Sequence, residues 1–368
     1  MVKPKTINLN SVRLNTVALN HYGNISGGGS KPDPIAVWIR EHMAFRYDTK
    51  GYTNEVLSQT KQLEDLSGNN RPMLLNNFLF DMMSGMDGYK NGTFTKDTSS
   101  SILWDKINDR TIKGKPSTSG LDFAYYKIMD YTNGIMYIKW HVEGIRDDNK
   151  VYIAQYVYNQ FKQELHNGDN YIELDISGNT EKPNYPFVTV ISDQPYDTDI
   201  TITQIPEYPG ALVTDGVDDY GVVQNMTRGV KMLFMTVNPI GNNIIKTYYD
   251  QRRIETNFTF YIYINGIAYN VGNVGGKTYI NGKLNTTIQS TDLFNIKHNI
   301  TIVNDNVLQE DLSQGKGIIY FTNINNNKYS KLAFYNSIGF DSIPTEEDRF
   351  TEQELIDYVI EKYELNKI

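Results

Sequence analysis

Three carboxylates crowd into six residues at Asp215-Gly-Val-Asp-Asp-Tyr220. Hard oxygen donors at this density suit Ca²⁺, so Asp215, Asp218 and Asp219 are the candidate metal ligands of the chain. Two features argue for a structural use instead. Asp215-Gly216 is a turn dipeptide, and the residues after it read as the start of a strand. If Asp218 and Asp219 alternate across that strand, they face opposite sides and cannot both hold one ion. No cofactor is therefore expected, with Ca²⁺ the one exception left open.

A second set of candidates is aromatic. In Phe258-Thr-Phe-Tyr-Ile-Tyr-Ile264 the apolar residues fall on even numbers, which leaves Tyr261 and Tyr263 together on the opposite face. A tyrosine offers a sugar ring an apolar body and a polar hydroxyl. Arg252, just upstream, can meet an acidic glycan. The plainer reading is that these tyrosines cover a sheet or seat a helix, and that Arg252 is a solvated turn residue.

Catalytic constellations are not found. Glu143, Glu173, Asp175 and Glu255 lie in or near strands, but not in the Glu-x-Asp-x-x-Glu spacing that would set two carboxylates across a glycosidic bond. Histidines 21, 42, 141, 166 and 298 make no His-x-His or His-x-x-x-His pair. The chain has no cysteine, which removes thiol nucleophiles and Cys-based zinc sites, and no Gly-x-x-x-x-Gly-Lys-Ser/Thr phosphate loop. The expectation is a protein that is not an enzyme, with a polysaccharide-degrading activity as the remote alternative.

The elements that must position these residues are strands. The 368 residues include 27 Tyr and carry a formal net charge of −8 with both signs interspersed. That composition suits β-structure with wide polar surfaces and offers no dense basic patch for nucleic acid. No run of about 18 apolar residues is present, so membrane insertion is not expected. The basic start Met-Val-Lys-Pro-Lys lacks an apolar stretch behind it, which points to synthesis in a cytoplasm.

Residues 1–22 alternate: Ile7, Leu9, Val12, Leu14, Val17 and Leu19 are spaced by polar residues, in strands too short to bury themselves alone. Ser26-Gly-Gly-Gly-Ser30 and Lys-Pro-Asp-Pro34 then supply a flexible linker and a stiff turn. An orphan β-arm ahead of a linker reads as an anchor that completes a sheet in another chain; the alternative is a disordered or self-packed terminus. A globular region begins at Ile35-Ala-Val-Trp-Ile39, and Leu63-Glu-Asp-Leu-Ser-Gly-Asn-Asn70 is a tight turn before a strand at Leu74, Leu75 and Phe78. The pattern weakens through the Ser/Thr/Lys-rich stretch near 91–120.

From 121 to 205 the alternation is clean. Met136, Ile138, Trp140 and Val142 face one way, and Tyr137, Lys139, His141 and Glu143 the other. Further on, Asn265-Gly266 and Asn281-Gly282 mark hairpins, because Asn-Gly supplies the positive φ that a type I′ turn requires. One helix is expected, at the C-terminus: Thr351 with Glu354 forms a capping box, and Leu355, Tyr358, Val359 and Lys362 share a face.

Asp65-Leu-Ser-Gly-Asn69, Asp215-Gly-Val-Asp-Asp-Tyr220, the Tyr-Ile-Asn-Gly hairpins and Thr-Glu-x-Glu-Leu-Ile before the last helix together resemble the laminin-G-like/concanavalin A-like superfamily. With Ile200-Thr-Ile-Thr-Gln-Ile-Pro-Glu-Tyr208 running into Ala211-Leu-Val-Thr-Asp215, the arrangement is similar to virion structural proteins of tailed phages of Bacteroidales, including crAss-like phages. The resemblance covers roughly 35–368. It implies an all-β fold: a concanavalin A-like jelly-roll sandwich at 33–95 plus 206–368, an inserted smaller β-sandwich at 96–205, and an N-terminal arm and linker at 1–32. It also implies a head-fibre or tail-associated protein of the virion, made in the host cytoplasm. Its expected partners are capsid, portal or tail proteins, further copies of itself (a trimer among them) and host surface polysaccharide. A free-standing carbohydrate-binding lectin is the alternative.

Overall fold

The computed structural model describes residues 32–366 apart from 81–83, 90–91, 97–103, 109, 117, 119–123, 129–134, 156–161, 176–186, 224–225, 227–228, 241–244, 253–256, 264–276, 286–294, 304–317, 324–327 and 330. The anchoring candidates Ile7, Leu9, Val12, Leu14, Val17 and Leu19 thus lie outside the described residues. Every strand pairing described is antiparallel, and the protein is all-β, with three short helices among the described residues.

One body is built from the two ends of the chain. Its eight-stranded sheet runs in the order Lys283–Asn285, Lys277–Ile280, His298–Val303, Met232–Pro239, Leu332–Phe340, Leu212–Val213, Gly85–Met86, with Met43–Asp48 also on Leu332–Phe340. A six-stranded sheet follows the order Asn257–Tyr263, Ile245–Arg252, Ile318–Tyr320, Tyr220–Val223, Met73–Asn76, Gln62–Leu63. Phe45, Tyr47, Leu63, Met73, Met235, Tyr320 and Phe334 meet in one core between these sheets. The opposite face of the eight-stranded sheet is covered as well. Met232, Phe234, Ile338 and Phe340 pack there against Trp38 and Ile39 of helix α1 (Pro34–His42) and Leu355, Ile356, Val359 and Ile360 of helix α3 (Glu352–Lys362).

The second body uses 92–204. Two five-stranded sheets run Lys162–Leu165, Val151–Gln155, Phe187–Ser192, Ala124–Ile128, Gly92–Lys96 and Gly168–Asp175, Ile135–Glu143, Ile200–Gln204, Thr111–Gly114, Trp104–Asn108. They enclose Phe94, Trp104, Trp140, Val151, Ile153 and Ile202. Strand Gly92–Lys96 pairs with Ala124–Ile128, so it belongs with this body and not with the 33–95 segment. The stretch 91–120, where the sequence pattern is weak, supplies three strands of it.

The single-helix expectation falls short by two. Ile35-Ala-Val-Trp-Ile39 is helical because Asp33 caps the Ile35 N–H at 2.9 Å and Pro34 stands at the first turn, where its missing N–H costs nothing. Burial of Trp38 and Ile39 then outweighs the β preference of Ile35, Val37 and Ile39. Helix α2 (Asn54–Thr60) is capped by Thr53 and closes on Lys61 at φ 54°. In α3 the capping box is present. Its buried stripe is Leu355, Ile356, Val359 and Ile360, with Tyr358 at its flank.

Gly216 and Gly339 are among the glycines whose place a side chain would crowd. Gly216 has φ +79°, and a Cβ there would stand 2.8 Å from the Lys331 Cβ. Gly339 is extended, yet a Cβ would meet the Phe45 ring at 2.5 Å. Among the described residues no helix is long and apolar enough to cross a membrane.

Candidate functional site

The acidic hexapeptide is a loop closed by its own side chains. Asp215 Oδ1 accepts from the Val217 N–H at 2.7 Å and the Asp218 N–H at 3.4 Å. Asp219 Oδ2 accepts from the Asp215 N–H at 2.8 Å, and its Oδ1 from the Ser84 hydroxyl at 3.1 Å. The strand begins only at Tyr220, so the expected alternation of Asp218 and Asp219 across it does not occur. Carboxylate oxygens of Asp215, Asp218 and Asp219 can all lie within 4.8 Å of one another. Asp219 is fully buried, and that burial, reinforced by the charges of Asp215 and Asp218, pushes its carboxyl up to about 7. The hydrogen bonds from Asp215 and Ser84 oppose the shift. This is turn chemistry with a carboxyl held close to neutrality.

Of the aromatic candidates, Tyr261 and Tyr263 lie in strand Asn257–Tyr263 and Arg252 ends strand Ile245–Arg252. Their side chains are outside the described part of the structure. Exposed tyrosines are instead found on the inserted body. The solvent face of its Ile135–Glu143 and Gly168–Asp175 strands carries Tyr137, 56 % exposed, and Tyr171, 67 % exposed. Register pairs Tyr171 with Lys139 and Glu173 with Tyr137, so the two rings are diagonal neighbours. Beside them His141 Nδ1 lies 2.5 Å from Asp169 Oδ1 and its Nε2 lies 3.4 Å from Glu143. The hydrogen bond His141 donates to Asp169, with a second donated to Glu143, holds the His141 pKa above its ordinary value.

A third region was not legible beforehand. On the helix-covered face of the eight-stranded sheet, Met232 and Phe234 are followed at the same spacing by Thr236 and Asn238. Register places Asp48, Asn336, Thr236 and Asn299 opposite one another across four neighbouring strands. In the next row, Asn238 stands one pair beyond Val237↔His298, level with Lys297.

The Thr236 hydroxyl donates to the Leu365 carbonyl at 3.2 Å and accepts from Asn299 Nδ2 at 3.4 Å, while Asn299 Oδ1 accepts from Thr301 at 3.2 Å. Asn238 Oδ1 and Asn336 Oδ1 are buried without a hydrogen-bond donor among the described residues. The Lys297 ammonium lies 4.1 Å above the Tyr335 ring. Burial lowers the Lys297 pKa against the pull of Asp48, and burial raises the Tyr335 phenol to about 12. A cavity of about 220 Å³ adjoins the row, lined by Asn281, Lys297, His298, Asn299, Leu365 and Asn366.

The available signal was polar residues alternating with Ile in His298-Asn-Ile-Thr-Ile-Val303. In isolation that pattern reads as a strand with one wet face. Here the sheet is covered on both sides, and the Asn299 and Thr301 side chains are buried.

No family model matches the chain, and no curated protein does. Among solved structures, one alignment is to a peptide-N(4)-(N-acetyl-β-D-glucosaminyl) asparagine amidase, at 8 % identity over 69 % of this chain and 97 % of that one, with a TM-score of 0.14. A recombinant N-glycanase F aligns at 10 % identity over 68 % and 95 %, with a TM-score of 0.12. PNGF-II aligns at 11 % over 68 % and 64 %, with a TM-score of 0.14. At such scores the alignments carry no argument about fold or activity.

Proposed function

We propose that this chain is a virion structural protein, a head fibre or tail appendage, tethered by its N-terminal arm and presenting its sandwiches to neighbouring copies or to host-surface glycan. The observation that supports this best is how the linker meets the body. The chain leaves Ser26-Gly-Gly-Gly-Ser30 and within four residues enters α1, which Trp38 and Ile39 fasten to the larger sheet beside Phe340 and Phe350. Tension on the arm would therefore pass into a packed core. The arm itself would dock by strand addition, with main-chain hydrogen bonds for affinity and alternate apolar side chains for register.

The test is to delete residues 1–31 and infect. Truncated protein that folds but stays out of purified particles is the expected result, and normal incorporation would refute the anchor.

The second reading, a free carbohydrate-binding module, is favoured by the exposed Tyr137 and Tyr171 beside Lys139, His141 and Asp169. Aromatic faces bordered by hydrogen-bonding groups are the chemistry that sugars meet. On a glycan array it requires binding by the isolated protein that weakens in Tyr137→Ala and Tyr171→Ala.

A further inference from the structure

We infer that the exposed sheet face of the inserted body, around Tyr171, Tyr137 and Glu173, is an open platform for the interior rings of a non-acidic polysaccharide chain. The inference rests on the carbohydrate-binding reading above and adds the class of sugar and the way it lies.

Register fixes the arrangement. Tyr171 stands opposite Lys139 and Glu173 opposite Tyr137, so the four side chains form a square on one face, with the phenol rings on one diagonal. The rings are more than half exposed, and Glu173 is exposed between them. Strand Gly168–Asp175, which carries Tyr171 and Glu173, is the outermost of its sheet among the described residues, so the square lies at an open margin. Diagonal neighbours stand about 7–8 Å apart, a spacing that lets the two phenols take successive rings of one chain.

Charge then decides what can lie there. Both cations on these two strands are already matched: the Lys139 ammonium is 2.7 Å from Glu207, and His141 sits between Asp169 and Glu143. Glu173 has no ion pair among the described residues. A phosphate, sulfate or uronate would therefore meet surplus carboxylate. A protein partner is also a poor match. The centre of a protein–protein interface is depleted in charge, whereas no outward position from 137 to 143 or from 169 to 173 is aliphatic. A neutral or amino-bearing sugar fits both constraints. Its C–H face lies on a phenol ring, and its hydroxyl or amino groups donate to Glu173.

The test presents the full chain with an array of linear neutral, amino-bearing and uronate-bearing oligosaccharides, from one to about six rings, and then titrates the best of them by calorimetry. Non-acidic chains are expected to bind, longer ones more tightly than single rings. Binding to a neutral chain should persist at about 1 M salt, where the Debye length is about 3 Å. Tyr171→Ala and Glu173→Ala should each weaken it about ten-fold, the loss of one stacking contact or one hydrogen bond, while Tyr171→Phe keeps the ring and should stay within about three-fold. These positions are exposed, so the unfolding midpoint should not move, which separates lost binding from lost fold. Binding confined to uronate-bearing chains, or a single ring bound as tightly as a chain, overturns the platform and leaves the carbohydrate-binding reading standing. Saccharide binding untouched by both alanine variants does the same. No saccharide binding overturns both, and self-association abolished by Tyr171→Ala would then make this face a contact between copies.

Discussion

Asp219 makes the energetics of the acidic loop measurable. Its carboxyl is fully buried, between the Asp215 N–H and the Ser84 hydroxyl, with two further carboxylates in the same loop. The folded-state pKa is about 7, against 3.8 for an ordinary aspartate. Between those values the native protein keeps a proton that the unfolded chain has released. Native protein therefore binds more protons than unfolded, and stability falls as pH rises through this window. Each pH unit inside it is worth about 1.4 kcal/mol, so the full window of about three units sets an upper limit near 4 kcal/mol.

Asp219→Asn fixes the side chain in a neutral form that can still accept from Asp215 and donate to Ser84. Chemical denaturation of both proteins from pH 4.5 to 8 isolates the effect, because the other titrating groups are shared and cancel in the difference. The stability of the variant relative to wild type should rise progressively from pH 4.5 and level off above about pH 7. A stability difference that does not change with pH would mean that Asp219 ionises freely while buried, and the reasoning would fail.

Three further outcomes follow from the same structure. The Asp215 and Asp219 carboxylates are engaged by backbone N–H groups, so neither EDTA nor millimolar Ca²⁺ should move the unfolding temperature; a Ca²⁺-dependent rise would establish the loop as a metal site. By NMR, the His141 ring should titrate above the ordinary histidine value, and Asp169→Asn should bring it back down, because the Asp169 hydrogen bond is the main cause of the shift. If Asp169→Asn leaves the titration unchanged, that pairing is wrong. Gly339→Ala forces a methyl against the Phe45 ring at 2.5 Å and should cost about 1–3 kcal/mol in urea unfolding, whereas a neutral result would show that Phe45 can move.

How much of this could be read beforehand depended on whether local chemistry or tertiary cover decided the outcome. Asn281-Gly282 was legible because both residues must take positive φ, and they do, at 50° and 81° between Lys277–Ile280 and Lys283–Asn285. The alternation around Trp140 was legible because that sheet has one buried face: Ile138, Trp140 and Val142 are buried while Tyr137 is exposed. The C-terminal capping box needs only four residues. Helix α1 was missed because its signal, Asp33-Pro34, sits in what also reads as a linker turn, and the burial that decides it comes from Phe340 and Phe350, some 300 residues away. Strands Trp104–Asn108 and Thr111–Gly114 were lost in polar composition, since the former buries only Trp104.

The polar row was hidden for a different reason. Met232–Pro239 is buried at every position, so its sequence carries no alternation to say which residues face the helices. The bulge in Leu332–Phe340 opposite Thr236 and Val237 shifts the face on which Asn336 falls, which no periodicity count anticipates. Once the faces are known, the contrast along one strand is clear. Met232 and Phe234 meet α1 and α3 through apolar contacts, whereas Thr236 and Asn238, on the same face two and four residues further on, do not. An apolar side chain at 238 would spare the fold an unmatched acceptor, so Asn238→Leu is expected to leave the unfolding midpoint unchanged or raise it, and a marked loss of stability would show that the Asn238 carboxamide is held by a structural partner.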